Sequence, residues 1–192
     1  MRKRFSGVDK TIYTVGYQVA LYDTIGVMSS FQRLAQRAET TTSAGLASLA
    51  SNVCLELLRS LDGIVAAKAF AGRHATALEA EKEMHELGIR ERKKWAYETT
   101  QQEHQHPPPR VDSRGSRGGP GGLMVVTLMV VCRKFDKALA KPVNSLQSLE
   151  TSLEKLAGLL LERGGKNVLA VDVSWTPDDP ADVLTREELR LK

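Results

Sequence analysis

The chain has 192 residues, of which 42% are hydrophobic and 26% charged, and it contains two cysteines. This composition is that of an ordinary globular protein, and the length suits one domain. It excludes a collagen-like chain, a coiled-coil rod, a disulfide-rich scaffold and a wholly disordered protein. A chain of this size buries about 70% of its unfolded surface, so neither a disulfide nor a metal is needed for stability.

The net charge of +4 is concentrated at the N-terminus. Residues 1–10 contain four cations and one carboxylate, which leaves the rest of the chain close to neutral. We therefore predict a solvated basic tail over residues 1–11. The alternative is an arm that binds nucleic acid, and the near-neutral remainder disfavours it, so no nucleic-acid partner is expected.

The first third of the chain indicates one strand followed by two helices. Residues 12–22 alternate, with aromatic and β-branched side chains on one side, which is typical of a half-buried strand. Apolar residues recur at helical spacing over 27–38 and, most clearly, over 44–60. The middle of the chain should begin with a second strand, because residues 64–70 form a short apolar segment.

Two charged helices are predicted next, over 75–87 and 89–102, with an interruption at Gly88. Residues 103–122 then hold four of the seven prolines and five of the fifteen glycines. We interpret them as a disordered loop inside the fold, although such a shift in composition also suits a domain boundary.

The last third indicates a strand, a helix and a strand. Residues 123–131 are apolar on both faces, which places this strand in the middle of a sheet with both sides covered. Residues 145–163 have a helical apolar stripe that ends at Gly164 and Gly165, where a left-handed turn is wanted. Residues 168–175 alternate again, and a capping pattern that starts at Thr185 predicts a short final helix.

This order of elements predicts an α+β fold. A single domain over 12–192 would hold a three- to four-stranded sheet covered by helices, with a C-terminal strand-helix-strand unit. If the two strands of that unit are parallel, their connection should be right-handed.

No catalytic or metal-binding signature stands out. His104 and His106 lack the cysteine pair that a structural zinc site would need, and His74 stands alone and is interpreted as a surface residue. Cys54 and Cys132 lie in apolar runs, which indicates buried thiols. No set of Ser, His and Asp can be placed. We therefore predict a protein that is not an enzyme and that has no cofactor and no metal.

A candidate protein-contact surface lies at the end of the last predicted strand. A Trp followed by a proline-fixed acidic turn is more specific than a strand end requires, which favours a contact. The alternative is that the Trp is a core or sheet-edge aromatic. The predicted contact residues are Trp175, Thr176, Pro177, Asp178, Asp179 and Asp182.

Four segments in order resemble the fluctuating-light-acclimation proteins of chloroplasts and cyanobacteria, a family built on a domain of unknown function. The most specific is the Trp-Thr-Pro strand end, and the resemblance covers about residues 15–190. The segments are Gln18 to Leu21; Ala38 to Leu46 with Leu55 to Arg59; Val125 to Val130; and Leu169 to Pro177 running on to Leu184 and Glu188-Leu189.

The resemblance implies a chloroplast protein, associated with the thylakoid or the envelope, that tunes non-photochemical quenching and the thylakoid proton gradient under fluctuating light. It implies an unidentified protein partner, for instance a thylakoid or envelope membrane protein. The family has no established catalytic residues, so none can be carried over.

The family usually carries a transmembrane helix upstream of this domain. No segment here reaches the roughly 18 apolar residues of a bilayer span, so the chain as written is expected to be soluble. Whether Met1 is the true N-terminus stays open. Two other function classes also stay open, namely an enzyme with a pocket at the sheet edge and a nucleic-acid binder that uses the basic tail.

Overall fold

The computed structural model describes residues 11–22, 26–105, 122–177 and Leu184. Four strands and four α-helices lie in this part of the chain. In order, they are β1 (Ile12–Tyr22), α1 (Val27–Arg37), α2 (Ser43–Arg59), β2 (Ile64–His74), α3 (Ala77–Gln105), β3 (Leu123–Cys132), α4 (Leu146–Leu161) and β4 (Val168–Thr176). The basic tail up to residue 10, most of the predicted loop at 103–122 and the helix expected after Thr185 lie outside the described residues.

The four strands form one antiparallel sheet in the order β2-β1-β3-β4. β1 pairs with β2 on one side and with β3 on the other along almost its whole length. The α+β class and the covered sheet that the sequence predicts are confirmed.

The C-terminal strand-helix-strand unit is present, but its two strands are antiparallel, so it is not a parallel crossover. The linker at 133–145 explains the direction. It leaves β3 at Cys132 and brings Val143 beside Ile64. Ile64 and Met124 lie at the same end of the sheet, since both pair with the end of β1. α4 then runs back, and β4 begins opposite Cys132.

Helices cover both faces of the sheet. α1, α2 and α4 pack on one face, against alternate side chains of β1 and β3 that form the main core. α3 lies on the other face, where Ala80 packs with Ile12 and Val131. All ten residues of β3 are buried, as the prediction of a central strand requires.

α3 is one continuous helix, so the predicted interruption at Gly88 is wrong. A glycine inside a helix costs about 1 kcal/mol relative to alanine. Gly88 is buried, and it falls on the same helical stripe as Ala80, Met84 and Glu91. Packing of this stripe against the sheet outweighs the cost and keeps the helix running through the glycine.

The start of α4 is capped by two serines. Ser145 Oγ accepts a hydrogen bond from Ser148 N at 3.1 Å, and Ser148 Oγ accepts one from Ser145 N at 3.0 Å. Beyond the helix, Arg163, Gly164 and Gly165 have φ values of 52°, 68° and 79°, so the predicted left-handed turn is present but begins one residue before the glycines. A Cβ on Gly165 would lie 2.8 Å from Cβ of Ala47, so the glycine lets this turn touch α2.

The close approach of β1 to β3 at Gly16 gives a test of the fold. A Cβ there would lie 2.8 Å from the carbonyl oxygen of Leu128 and 2.9 Å from Cγ of Met129. We expect Gly16→Ala to lower the free energy of unfolding by about 1–3 kcal/mol, measured by urea titration, because the two strands must move apart.

The matched control is Gly158→Ala, because Gly158 lies on the exposed side of α4 with no atom within 4 Å of an added Cβ. This variant should raise the free energy of unfolding by about 0.5–1 kcal/mol through helix propensity. Equal urea midpoints for Gly16→Ala and the unmodified chain would contradict the register of β1 and β3.

Candidate functional site

The candidate contact surface begins where β4 ends. Trp175 packs against Phe31 of α1, with ring centroids 6.2 Å apart and planes tilted by 31°. Its side chain is half-buried at the border of the main core. Thr176 pairs with Val125 and is also half-buried, whereas Pro177 is buried and follows a cis peptide bond. The segment is therefore anchored in the fold, and parts of Trp175 and Thr176 stay accessible.

The acidic half of the candidate surface, Asp178, Asp179 and Asp182, lies outside the described residues. Leu184 is described, and its carbonyl oxygen accepts a hydrogen bond from Leu123 N at 3.3 Å. Its side chain packs against the start of β3. The chain thus returns to the sheet after the acidic residues, and a protein contact at this surface stays a prediction.

A groove runs along the outer edge of β2, between this strand and residues 140–146. It consists of two adjoining hollows of about 220 and 230 Å³, which share Ala67 and Val143. Ile64 and Leu149 line the first hollow, and Lys68 lines the second. We refer to these two hollows together as the β2 groove.

A buried polar contact joins α3 to the centre of the sheet. Gln18 Nε2 donates hydrogen bonds to Glu91 Oε2 at 2.9 Å and to Thr127 Oγ1 at 3.3 Å. Glu91 is only 2% exposed, and Arg90 Nε lies 3.8 Å from its other carboxylate oxygen. These bonds fix where α3 sits on the sheet.

The sequence gives little sign of this contact. Gln18 and Glu91 are 73 positions apart, and Glu91 stands in a charged run that is typical of a solvated helix face. The usable signal is its place on the helix, seven positions after Met84 on the stripe that packs on the sheet.

His74 makes a second polar contact between the sheet and α3. His74 Nε2 lies 3.1 Å from Glu83 Oε2 and 3.0 Å from Thr14 Oγ1. The His74 side chain is 9% exposed, so its interpretation as a surface histidine is wrong. Its position at the end of β2 places it under the first turns of α3. Within the described ranges, no group of three or more His, Cys, Asp or Glu side chains could hold a metal ion.

The two cysteines are buried and free, as the apolar runs predict. Burial raises the pKa of the Cys54 thiol to about 12. Burial also raises the pKa of Cys132 to about 12, and the hydrogen bond that its thiol donates to the carbonyl oxygen of Lys134 offsets part of this rise. Both thiols stay protonated at neutral pH, which makes them poor nucleophiles and poor metal ligands.

Tyr17 carries a buried hydroxyl within the main core. Burial raises its pKa to about 12. The side chain of Ser152 on α4 lowers this pKa in part, and Cys54 raises it further. Among the described residues, no atom completes a hydrogen bond of good geometry with the Tyr17 hydroxyl. The phenol is therefore neutral at physiological pH and costs the fold some stability.

The segment Ala38 to Leu46, which contributes to the family resemblance, builds the start of α2. Thr42 Oγ1 accepts a hydrogen bond from Gly45 N at 3.1 Å. The Glu39 carboxylate accepts one from Thr41 N at 2.6 Å and others from the hydroxyls of Thr41 and Thr42. These bonds, led by the one from the Thr41 hydroxyl, lower the pKa of Glu39. Capping of α2 accounts for this motif.

The lowered pKa of Glu39 predicts a pH-dependent contribution to stability. Its carboxylate stabilises the fold above the ordinary pKa of 4.5 and loses this effect as the pH falls through the lowered pKa. In urea titrations, Glu39→Gln should therefore be less stable than the unmodified chain at pH 7, and the difference should shrink at pH 3. Glu154→Gln, on the exposed side of α4, controls for the loss of one charge. A difference that is equal at both pH values would contradict the capping role.

In the part of the chain that the structure describes, no helix is both long enough and apolar enough to cross a bilayer. Over residues 11–192, the chain matches a family described as protein of unknown function, DUF1517. The chain belongs to this family. The match includes every described element of the fold, from β1 to Leu184.

The chain is also similar to FLUCTUATING-LIGHT-ACCLIMATION protein 1, chloroplastic, of Arabidopsis thaliana. The two are 28% identical over 163 residues, which cover 85% of this chain and 40% of the Arabidopsis protein. The chain thus spans less than half the length of this relative. The resemblance that the sequence motifs indicate is confirmed at the level of the family. No solved structure matches the chain.

Proposed function

We propose that the chain is a regulatory interaction domain that acts, without catalysis of its own, in the acclimation of chloroplasts to fluctuating light. The observation that carries this proposal is the similarity to a chloroplast protein named for that process, over 85% of the chain. The family match over residues 11–192 supports it, because the shared part includes every described helix and strand.

The finer role follows from the resemblance to fluctuating-light-acclimation proteins. The domain would tune non-photochemical quenching and the thylakoid proton gradient, and it would do so by contact with a protein of the thylakoid or envelope. The similarity to a chloroplastic protein supports the compartment.

The polar chemistry of the described residues favours binding over catalysis. Cys54 and Cys132 are buried with raised pKa values, and Glu91 and His74 are engaged in contacts that hold α3 on the sheet. Within the described ranges, the β2 groove is a sheet-edge hollow that an enzyme could use. Among the described residues that line that groove, the polar side chains are two lysines, an asparagine and a serine, with no carboxylate or histidine to pair with them.

A domain exchange tests the proposed role. The segment of the Arabidopsis relative that aligns with this chain would be replaced by the chain, in plants that lack the relative. We expect the exchange to restore the normal chlorophyll fluorescence course under alternating high and low light, because the family domain is kept. The relative with this segment deleted is the control. An exchanged protein that accumulates in the chloroplast but behaves like the deletion would contradict the proposal.

Charge reversal tests the predicted contact surface within the same exchanged protein. We expect replacement of Asp178, Asp179 and Asp182 by lysine to remove partners that co-purify with it, because like charges oppose docking. Trp175 is unsuited to this test, since its packing on Phe31 ties it to the fold. The matched control replaces three acidic residues elsewhere, Glu81, Glu150 and Glu154. An unchanged set of co-purified proteins would contradict the contact.

A further inference from the structure

The outer edge of β2 has unused backbone hydrogen-bonding groups. β2 is an eleven-residue strand that, among the described residues, pairs with β1 alone. In an antiparallel ladder, alternate residues point their N–H and C=O groups to opposite sides, so about half of those of β2 face away from β1. Residues 137–143 run beside this edge, and their backbone hydrogen bonds are local, from Leu139 to Asp136 and from Lys141 to Ala138.

The first hollow of the β2 groove is suited to apolar side chains. Its lining includes Ile64, Val143 and Leu149. Val65 of β2 and Leu146 at the start of α4 also line it, and they are 38% and 44% exposed. The hollow and its rim together form an apolar patch that a partner side chain would cover.

The second hollow is positively charged. Lys68 and Lys141 both line it, and none of the described residues that line either hollow is a carboxylate. Lys68 Nζ lies 5.1 Å from the centroid of the Phe70 ring, a cation–π contact between two side chains of β2. An occupant of the groove would therefore gain from carrying negative charge.

We propose that β2 binds an extended acidic peptide segment of a partner protein as an additional strand of the sheet. The main chain of the peptide pairs with the outer edge of β2, which gives the affinity common to strand addition. An apolar side chain enters the hollow at Ile64, and carboxylates of the peptide meet Lys68 and Lys141. This inference rests on the proposed role as an interaction domain and names one of its surfaces.

The charges favour this occupant over two others. A second copy of the chain, paired edge to edge, would bring the lysines of two β2 grooves together, and like charges across a strand pair are destabilising. An anionic membrane would be met by convex surfaces, whereas Lys68 and Lys141 lie in a groove beside a strand edge.

The experiment selects displayed random nonapeptides on the full chain. We expect the enriched peptides to alternate β-branched with acidic residues. The double variant Lys68→Glu, Lys141→Glu should weaken their binding by about tenfold or more at low salt, because it reverses the charge of the groove. The control double variant Lys155→Glu, Lys166→Glu changes exposed lysines outside the groove and should bind as the unmodified chain does.

Two further measurements test the strand pairing itself. A selected peptide should slow hydrogen exchange at those amides of residues 64–71 that face away from β1, because strand addition supplies acceptors for them. The same peptide with alternate amides N-methylated should lose binding, since it keeps the charge but cannot complete the ladder.

Several outcomes would overturn the inference. These are a selection without enrichment, enriched peptides without acidic excess, and binding that the Lys68/Lys141 variant leaves unchanged. A dimer in sedimentation that this variant abolishes would assign the groove to a second copy, and loss of binding to phosphatidylglycerol vesicles in place of peptides would assign it to membranes. If the peptide selection fails and the domain exchange succeeds, only the proposal for the β2 groove is overturned. If the selection succeeds and the exchange fails, only the acclimation role is overturned.

Discussion

Burial of β3 on both faces is the constraint on which the other elements depend. Its ten residues, Leu123 to Cys132, are all buried, and each large apolar side chain among them contributes about 1.5–3 kcal/mol only if it is kept from water. The strand must therefore lie inside the sheet, and each face needs its own cover. α2 and α4 supply an apolar layer on one face, so the remaining long helix, α3, has to cover the other although it is rich in charge.

The polar contacts under α3 follow from that requirement. A charged helix can lie on a sheet only if its inward polar groups find partners, because an unpaired buried charge costs several kcal/mol. The buried Glu91 meets Gln18, and at a second place along the helix Glu83, which is 46% exposed, meets the buried ring of His74. Two such contacts set both the position and the direction of α3 more tightly than small apolar residues alone. We therefore assign Glu91 and His74 to the architecture of the domain.

The local pattern of apolar and polar residues predicts the helices and strands of this chain well. It does not predict the contacts between segments that are distant in the sequence. Alternation marks β1 and β4, and the doubly apolar run marks β3 as central, because both signals are carried by neighbouring residues. The direction of β4 depends on how far the linker at 133–145 travels, which has no local signal. Gly88 looks like a break because propensity is local, whereas the packing that overrides it comes from the sheet. Among the candidate contact residues, the packing of Trp175 on Phe31 could be found only from the structure. The acidic turn is supported by the sequence alone.

An edge strand such as β2 must avoid pairing with other copies of the chain, and it can also bind a partner strand. A free edge invites pairing with other copies, and proteins oppose this with lysines and with irregular register. β2 has both, since Lys68 stands on it and its pairing with β1 shifts between Ala20 and Leu21. These features disfavour pairing with another positively charged strand edge. They do not prevent the outward-facing N–H and C=O groups of β2 from pairing with a negatively charged strand. Protection from self-association and selectivity for an acidic partner thus come from the same residues, because specificity is a difference between two affinities.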